Sequence, residues 1–473
     1  MSVSFVSLLR DRLSQNSNRP AFIIRSVEYS YAQLNTLIQE RIVHIQASLS
    51  DEPAIGLYCY DDIETYAFLL ACLMTGKAYV PLHPSHPKDR NDRIQALAKL
   101  GYIYSPGNEL TAVSTEQFHS DNSLAVDNTS AYILFTSGST GIPKGVPITH
   151  RNLNTFIEAC QRASIVAREE DRFLQMFDLT FDLSVFSFLY PLCHGACVCT
   201  VPTDEVKHFG VYRILEEQNI SVALMVPSVM EMLKPYFSDL ELPALQQLLF
   251  CGEALRAETM QALIPYLPNT EIRNVYGPTE ATIFCTSYIL HKHPDKWLSK
   301  NGILSIGEPL WNTRLQISSE EELLISGAQV TTGYVNDSDK NKQSFVSESG
   351  QNWYKSGDLA IQDASGNYLY IGRKDQQVKI QGYRIEPGEI EFQLNQILQT
   401  RRGLICACIK DQVSELHAVI EGAPEDTEGW KSALRKKLPG YMQPVCWHFI
   451  PEFPLNVNGK TDRKFITEKI YAE

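Results

Sequence analysis

No run of apolar residues in this 473-residue chain approaches the roughly 18 needed to cross a bilayer, so no membrane-spanning helix is expected. The first twenty positions, Met1 to Pro20, alternate polar and apolar residues and lack the unbroken hydrophobic stretch of a secretory signal, which makes the cytoplasm the expected compartment. Basic charge is in short supply: 42 Lys and Arg stand against 55 Asp and Glu, a net charge of −13. Phosphate-backbone binding wants a basic face, so nucleic acid is not an expected partner. There is no internal repeat and no low-complexity segment, only a local pairing of Phe177-Asp178-Leu179-Thr180 with Phe181-Asp182-Leu183-Ser184. The 11 cysteines show no disulfide framework: Cys72, Cys160, Cys406 and Cys408 sit in apolar runs and read as reduced core residues. Cys193, Cys197 and Cys199 cluster near His194, but this is not a usual zinc spacing, and a buried helix-to-strand transition accounts for them better.

What is present is an enzyme-sized globular chain, 44% apolar and 21% charged, long enough for two or three packed units. Short apolar runs at Ala54–Cys59, Ala78–Leu82, Ala131–Phe135, Cys197–Val201, Val222–Val226 and Gln247–Cys251 alternate with amphipathic stretches, the pattern of parallel strands covered on both faces. After Ala131–Phe135, helical spacing of Leu153, Phe156, Ile157 and Cys160 predicts strand, loop, helix. From Glu321 onward the strands look shorter and turn-rich, as in a small antiparallel unit that includes Glu322–Ser326 and Tyr368–Ile371. A boundary is expected at Asp375, giving units 1–374 and 375–473. The second is expected to be a small α+β domain with strands at Val378–Ile380, Leu404–Ile409 and Leu416–Ile420 and helices from Pro387 and Thr427. Residues 376–473 carry 13 basic and 13 acidic groups, so the whole acidic excess lies in the first part; an acidic partner would more easily meet Arg401-Arg402 or Arg435-Lys436-Lys437. The expected fold class is α/β: a large N-terminal part of mostly parallel sheets covered by helices, a small antiparallel unit, and a small C-terminal α+β domain.

The strongest chemical signal is Phe135-Thr136-Ser137-Gly138-Ser139-Thr140-Gly141-Ile142-Pro143-Lys144-Gly145. Its glycines let the backbone turn tightly and aim N–H groups at phosphate oxygens, its hydroxyls donate further, and Lys144 adds a point charge. The Gly-Lys-Ser/Thr ending of a P-loop is missing, and Pro143 blocks direct entry into a helix.

This stretch resembles the phosphate loop of the ANL superfamily of adenylate-forming enzymes, which comprises acyl-CoA synthetases, nonribosomal peptide synthetase adenylation domains and luciferases. The resemblance runs from about Tyr31 to Lys464 through Asn274-Val275-Tyr276-Gly277-Pro278-Thr279-Glu280, Gly357-Asp358, Gly372-Arg373-Lys374-Asp375, Gln377-Val378-Lys379-Ile380-Gln381-Gly382-Tyr383-Arg384 and Asn458-Gly459-Lys460-Thr461-Asp462-Arg463. It implies ATP and Mg²⁺, with Tyr276 stacked on adenine, Asp358 on the ribose hydroxyls and Arg373 near the ribose. Asn274, Val275, Gly277, Gly252, Glu253 and Ala254 would complete the nucleotide contacts. Glu280 would hold Mg²⁺, beside Thr279, and Lys460 would bridge the attacking carboxylate and the α-phosphate. Asp375 would be a hinge, and Lys379 and Gly382 would belong to the second half-reaction, in which a carrier protein's phosphopantetheine thiol displaces AMP.

Within the superfamily, Asp182, with Gly195 fourteen residues after Phe181, matches the segment where amino-acid-activating members hold the α-ammonium; helix capping is the rival reading, and Asp178 is a rival in sequence. The implied side-chain pocket is Leu183, Phe186, Leu224, Leu249, Cys251, Val275, Ile283 and Phe284, all apolar, with Phe181 counted among the substrate-binding residues beside Asp182. An unpaired charge there would be costly, which disfavours charged amino acids. Leu249 to Leu255 and Tyr276 to Thr282 look most like D-alanine-activating carrier-protein ligases, in which a cysteine at the Cys251 position shapes a small chiral pocket. The chain departs from them at Phe284, which is larger than expected, and in a shortened loop, Leu315 to Glu321. Only ten residues follow Arg463, too few for a carrier domain, so a carrier acting in trans is expected. Two other readings stay open: a stand-alone peptide-synthetase adenylation enzyme for another apolar amino acid, and a non-catalytic nucleotide or adenylate sensor.

Overall fold

The computed structural model describes residues 4–113, 129–138, 142–348, 350–410, 413–454 and 461–472. It divides into two compact units: one of residues 1–84, 95–134 and 145–374, the other of residues 85–94, 135–144 and 375–473.

Two large sheets carry the first unit. The nine-stranded sheet runs Glu308–Pro309, Thr286–Ile289, Glu271–Tyr276, Gln247–Phe250, Val222–Met225, Arg172–Gln175, Cys197–Thr200, Pro20–Ile24, Val27–Ser30. Its middle pairs are parallel, as the short apolar runs predict, because only a strand buried on both faces can be apolar throughout. The six-stranded sheet runs Asn108–Ala112, Tyr102–Ser105, Ala54–Tyr58, Ala78–Leu82, Ser130–Thr136, Lys144–Thr149. Several helices start where short polar side chains satisfy their orphan N–H groups. Ser30 and Gln33 form a reciprocal capping box on Tyr31–Ser48, and Thr149 and Asn152 do so on His150–Arg162. Asp62 accepts from Thr65 N at 2.7 Å at the head of Ile63–Met74, whose residues Ile63 to Leu73 are almost all buried.

A five-stranded antiparallel sheet follows, built on Thr313–Ile317, Glu322–Gly327, Gln351–Gln362, Phe345–Glu348 and Tyr368–Arg373. Two local expectations need correction here. Strand, loop, helix after Ala131–Phe135 is in fact strand, loop, strand, helix, because Lys144–Thr149 continues the sheet before Thr149 opens the helix. The antiparallel strands are not uniformly short either. Gln351–Gln362 is 12 residues long and alternates buried and half-exposed positions along much of its length, so Asp358 lies inside a strand and not at a helix cap.

In the second unit, the hairpin Val378–Ile380 to Tyr383–Ile385 turns on Gln381 (φ 50°) and Gly382 (φ 82°), the paired left-handed residues that a tight two-residue hairpin needs. The sheet Gly403–Lys410, Val413–Glu421, Cys446–Ile450 separates two small cores. One face packs Ile405, Leu416, Ala418 and Ile420 against helices Pro387–Leu398 and Thr427–Arg435. The other packs Leu404, Cys406, Cys408 and Val419 with Ile466 and Ile470 of helix Arg463–Ala472. The last strand, Cys446–Ile450, and the last helix were not among the elements expected from the sequence. No helix among the described residues is long and apolar enough to cross a membrane.

All 11 cysteines lie among the described residues; ten are buried and Cys446 is exposed. Burial pushes the thiols of Cys59, Cys72, Cys160, Cys193 and Cys285 up, and the phenols of Tyr31, Tyr66, Tyr79 and Tyr132 likewise. Unfolded thiols ionise near pH 8.5 and unfolded phenols near pH 10, about their ordinary values. Above about pH 8.5 the unfolded chain therefore binds fewer protons than the folded one, and stability must fall as pH rises. Thermal melts from pH 7 to 10.5 are expected to show a decline beginning near pH 8.5 and steepening near 10; a flat profile would contradict the burial of these groups.

Candidate active site

The residues assigned to the nucleoside converge at the carboxyl end of Glu271–Tyr276, which is where open parallel sheets bind ligands. Tyr276, the last residue of that strand, donates its hydroxyl to Asp358 Oδ2 at 2.5 Å. Arg373 Nη1 lies 2.8 Å from Asp358 Oδ1 and also donates to Ser356 O at 2.9 Å. Asp358 N is in turn held by Ser356 Oγ at 3.0 Å. Burial first, then the Asp358 charge, push the Tyr276 phenol well above its ordinary value, so it stays a donor. A buried carboxylate fixed by a phenol and a guanidinium is rigid, and it is the kind of acceptor two vicinal hydroxyls can use.

Asn274 is a different case. Its amide donates to Ser305 O at 2.8 Å and to Leu304 O at 3.5 Å, on the sheet face opposite Arg273 and Val275, so it ties the strand to residues 304–305. Gly252 has φ 91°, a conformation only glycine adopts without strain; Glu253 Oε2 accepts from Ser228 N at 2.8 Å, and Ala254 is exposed.

Glu280 is fully buried in a single turn, Thr279–Ala281. The hydroxyl of Tyr334 donates to its Oε1 at 2.6 Å, and Thr331 N donates to its carbonyl at 2.8 Å. Thr282 (φ 57°) and Ile283 (φ 73°) follow in the left-handed region, a strained pair for two β-branched residues. Thr282 is pinned through its hydroxyl to Gln329 O, while the Gln329 amide donates to Phe284 O at 2.9 Å. The strain redirects the chain so that Gly277 meets it: a Cβ at Gly277 would lie 2.5 Å from Phe284 Cα. Tyr334 and Gln329 were not legible as site residues, since each stands alone in a loop-like stretch without a motif.

Asp182 is the first residue of helix Asp182–Leu192, with Phe181 at the cap position and no side-chain cap bond, so capping does not explain the carboxylate. It is buried, and its charge reaches the phenols of Tyr79 and Tyr132, adjacent register partners that burial chiefly holds protonated. Both phenol oxygens are buried without a hydrogen-bond partner, which no sequence signal revealed. Asp178, the rival, is committed elsewhere: Oδ1 accepts from Thr180 N and Oγ1 at 2.8 Å, and Oδ2 is 3.1 Å from His83 Nε2. Leu224 and Leu249 are register partners, Leu249 pairs with Arg273, and Val275 points the same way as Arg273; Leu224, Leu249 and Val275 therefore share one face. Cys251, just past its strand, and Leu183 and Ile283 are buried in the same hydrophobic core. Phe186 and Phe284 meet at 5.4 Å between centroids, and Phe156 closes on Phe284 at 4.8 Å, an edge-on aromatic set with almost no exposure. The Cys193–Cys199 segment is core, with His194 Nδ1 2.7 Å from Tyr190 O and Nε2 3.0 Å from Gln161.

Inside the second unit, the described part of the glycine-rich loop is already engaged by anions. Gly138 N donates to Glu389 Oε2 at 3.2 Å, and Lys144 Nζ lies 3.4 Å from Glu386 Oε1. Ser137 donates to Arg384 O at 2.7 Å and accepts from Glu386 N at 3.1 Å. Arg90 Nη1 completes the set, 2.6 Å from Glu389 Oε1, with both side chains buried. A Cβ at Gly138 would fall 1.9 Å from Ile142 O, so the loop requires glycine there. The Thr136 hydroxyl is buried with no partner. Ser139, Thr140, Gly141 and Lys460 lie outside the described residues. Asp375 accepts from Gln377 N at 3.1 Å; Lys379 sits in the hairpin strand before Gly382.

Residues 9–335 match the family model described as AMP-binding enzyme. The D-alanine–D-alanyl carrier protein ligase of Lactococcus lactis subsp. lactis (strain IL1403) is 30% identical over 477 residues, covering 94% of this chain and 95% of that protein. Bacitracin synthase 1 of Bacillus licheniformis is 33% identical over 429 residues, covering 87% of this chain but only 8% of that synthase. Among solved structures, the Vibrio cholerae adenylation domain AlmE, in complex with glycyl-adenosine-5'-phosphate, superposes with a TM-score of 0.86 at 24% identity, covering 99% of this chain and 98% of its own, a likeness of fold. A family model that spans most of the chain and relatives aligned along nearly all of it lead to one conclusion: the chain belongs to the AMP-binding enzyme family, the AMP-forming ligases of the ANL superfamily.

Proposed function

We propose that this enzyme activates a small apolar amino acid, D-alanine, as its aminoacyl-adenylate and transfers it to the phosphopantetheine thiol of a separate carrier protein, in the cytoplasm where ATP is available. The observation that carries this reading is the buried Asp182 carboxylate at the head of its helix, matched to an apolar and aromatic shell. An α-ammonium brought beside a buried carboxylate forms a matched charge pair that a simple acid cannot offer. The full-length likeness to ligases whose name specifies D-alanine and a carrier protein supports the choice of amino acid and acceptor.

In the first step a carboxylate oxygen of the amino acid attacks the α-phosphorus of ATP; the new C–O–P linkage forms and pyrophosphate leaves. The attacking group is already ionised at neutral pH and no general base is required. Two anions must approach, so positive charge and N–H donors have to be focused there. Lys460 is assigned that task, and Thr136 to Lys144 the phosphates. The carboxylates of Glu386 and Glu389 on Lys144 and Gly138 support an anion-binding role for the loop, since they use the donors that phosphate would use. Tyr276, Asp358 and Arg373 are assigned the nucleoside. The donor set at Glu280 fits Mg²⁺, a hard cation that keeps waters and takes one or two carboxylates beside phosphate oxygens. Mg²⁺ there would neutralise charge building on the phosphates, and Tyr334 orients the carboxylate that would hold it. In the second step the carrier thiolate attacks the adenylate carbonyl and AMP leaves, with Asp375 as pivot and Lys379 and Gly382 serving the thiol.

Pyrophosphate exchange tests the substrate. D-alanine is expected to exceed L-alanine, glycine, L-serine, L-valine and L-proline by roughly tenfold or more, the scale on which one methyl is discriminated, and propionate should be far poorer. The 33% identity to a peptide-synthetase segment defines the rival outcome, in which L-valine or L-proline leads.

Lys460→Ala should abolish amino-acid-dependent exchange yet leave carrier loading from supplied aminoacyl-adenylate largely intact; equal loss of both would sink the assignment of the lysine to the first step.

Tyr334→Phe removes the hydroxyl that donates to Glu280 Oε1. It should raise the Mg²⁺ concentration for half-maximal exchange by roughly tenfold, the lower end for an outer-shell partner, with little change in the amino acid KM. An unchanged Mg²⁺ dependence would separate Tyr334 from the metal.

A further inference from the structure

The C-terminal sheet carries a cluster of soft ligands. Strand Val413–Glu421 pairs in parallel with Cys446–Ile450, with His417 opposite Cys446 and Val419 opposite His448. Side chains two apart on a strand share a face, so Glu415 and His417 on one strand stand beside Cys446 and His448 on the next. One ligand atom each from His417, Cys446 and His448 lie within 4.8 Å of one another. His417 Nδ1 and His448 Nε2 are 3.0 Å apart.

We propose that His417, His448 and Cys446 form a binding site for a zinc-class divalent cation, with His417 Nδ1, His448 Nε2 and the Cys446 thiolate as ligands and solvent in the fourth position.

The bland alternative is an imidazole pair sharing one hydrogen bond beside an ordinary exposed thiol. It leaves His417 Nε2 buried with no hydrogen-bond partner. A metal at Nδ1 fixes the proton on Nε2 and turns it toward Glu415, whose Oε2 is 3.7 Å away. That is the carboxylate–histidine–metal arrangement by which ligating imidazoles are held in a single tautomer. The separations also suit the ion. With Zn–N near 2.0–2.1 Å, two nitrogens of a tetrahedral site stand about 3.3 Å apart, so the rings need only a small adjustment. Cys446 has a single side-chain torsion and an exposed position, which lets its sulfur close the remaining distance. Imidazole with thiolate selects zinc or cobalt over magnesium or calcium, which separates this cluster chemically from Glu280. Because the ligands come from two neighbouring strands, an ion here would tie the edge strand Cys446–Ile450 to the sheet.

The test uses the full-length, metal-stripped protein and Co²⁺ as the spectroscopic probe. One equivalent should produce a thiolate-to-cobalt charge-transfer band and tetrahedral visible bands, both erased by one equivalent of Zn²⁺. Cys446→Ser, at an exposed position, should lose the charge-transfer band and weaken Zn²⁺ binding by at least about tenfold, and His448→Gln should weaken it similarly. In the unmodified chain, Zn²⁺ should slow reaction of the one exposed thiol with a disulfide reagent by about tenfold or more, a readout that no variant's folding can confound. Cobalt binding without thiolate character, Zn²⁺ affinity unchanged in Cys446→Ser, or a thiol whose reactivity ignores Zn²⁺ would each overturn the site.

Discussion

The carboxylate of Asp358 is the fixed point of the larger unit. It lies in the 12-residue strand of the antiparallel sheet, yet its partners come from elsewhere: Tyr276 from the end of a strand in the nine-stranded sheet, and Arg373 from the adjoining antiparallel strand. Nearly out of solvent, such a charge is tolerable only when its lone pairs are matched, and a phenol at 2.5 Å and a guanidinium at 2.8 Å match them. The same knot therefore locks two sheets together and presents an oriented acceptor at the carboxyl end of parallel strands. The bonds that stabilise the join between the sheets are the same bonds that fix the orientation of this acceptor.

A second constraint sits one turn further along the chain. Gly277, the left-handed pair Thr282 and Ile283, and the Gln329 amide bring Phe284 against Phe186 and Phe156 while Glu280 is held from the other side by Tyr334. Strain of this kind persists only where its surroundings over-determine it. The aromatic set that looked too large for a small pocket is a closed wall of edge-on rings, and Phe284 belongs to that wall as much as to any substrate.

Much of this was legible beforehand. Fully buried parallel strands announce themselves as short apolar runs, and six of them fall within a residue or so of their observed positions. The motif residues could be read because each keeps its chemistry within a few neighbours: glycines for the loop, Tyr276 to Glu280 in one stretch, Asp358 beside Gly357. What escaped depends on pairing across the chain. Lys144–Thr149 reads as the tail of a loop until it joins a sheet. Tyr334 acquires meaning only from the Glu280 carboxylate it meets. Glu386 and Glu389 look like an ordinary helix start until they meet Lys144 and Gly138. His417, Cys446 and His448 are scattered over some thirty residues and become a cluster solely through strand register.

Adenylate formation is defined by which atoms exchange in the first step. D-alanine carrying heavy oxygen in both carboxylate positions, incubated with the enzyme, ATP, Mg²⁺ and a phosphopantetheinylated carrier, gives a direct answer by mass spectrometry of the products. Attack by the carboxylate on the α-phosphorus, followed by thiolysis, must leave one heavy oxygen in AMP and one in the carrier-bound thioester, with none in pyrophosphate. Label in inorganic phosphate with ADP as co-product, or AMP without label, would show that the adenylate is not formed and contradict the mechanism.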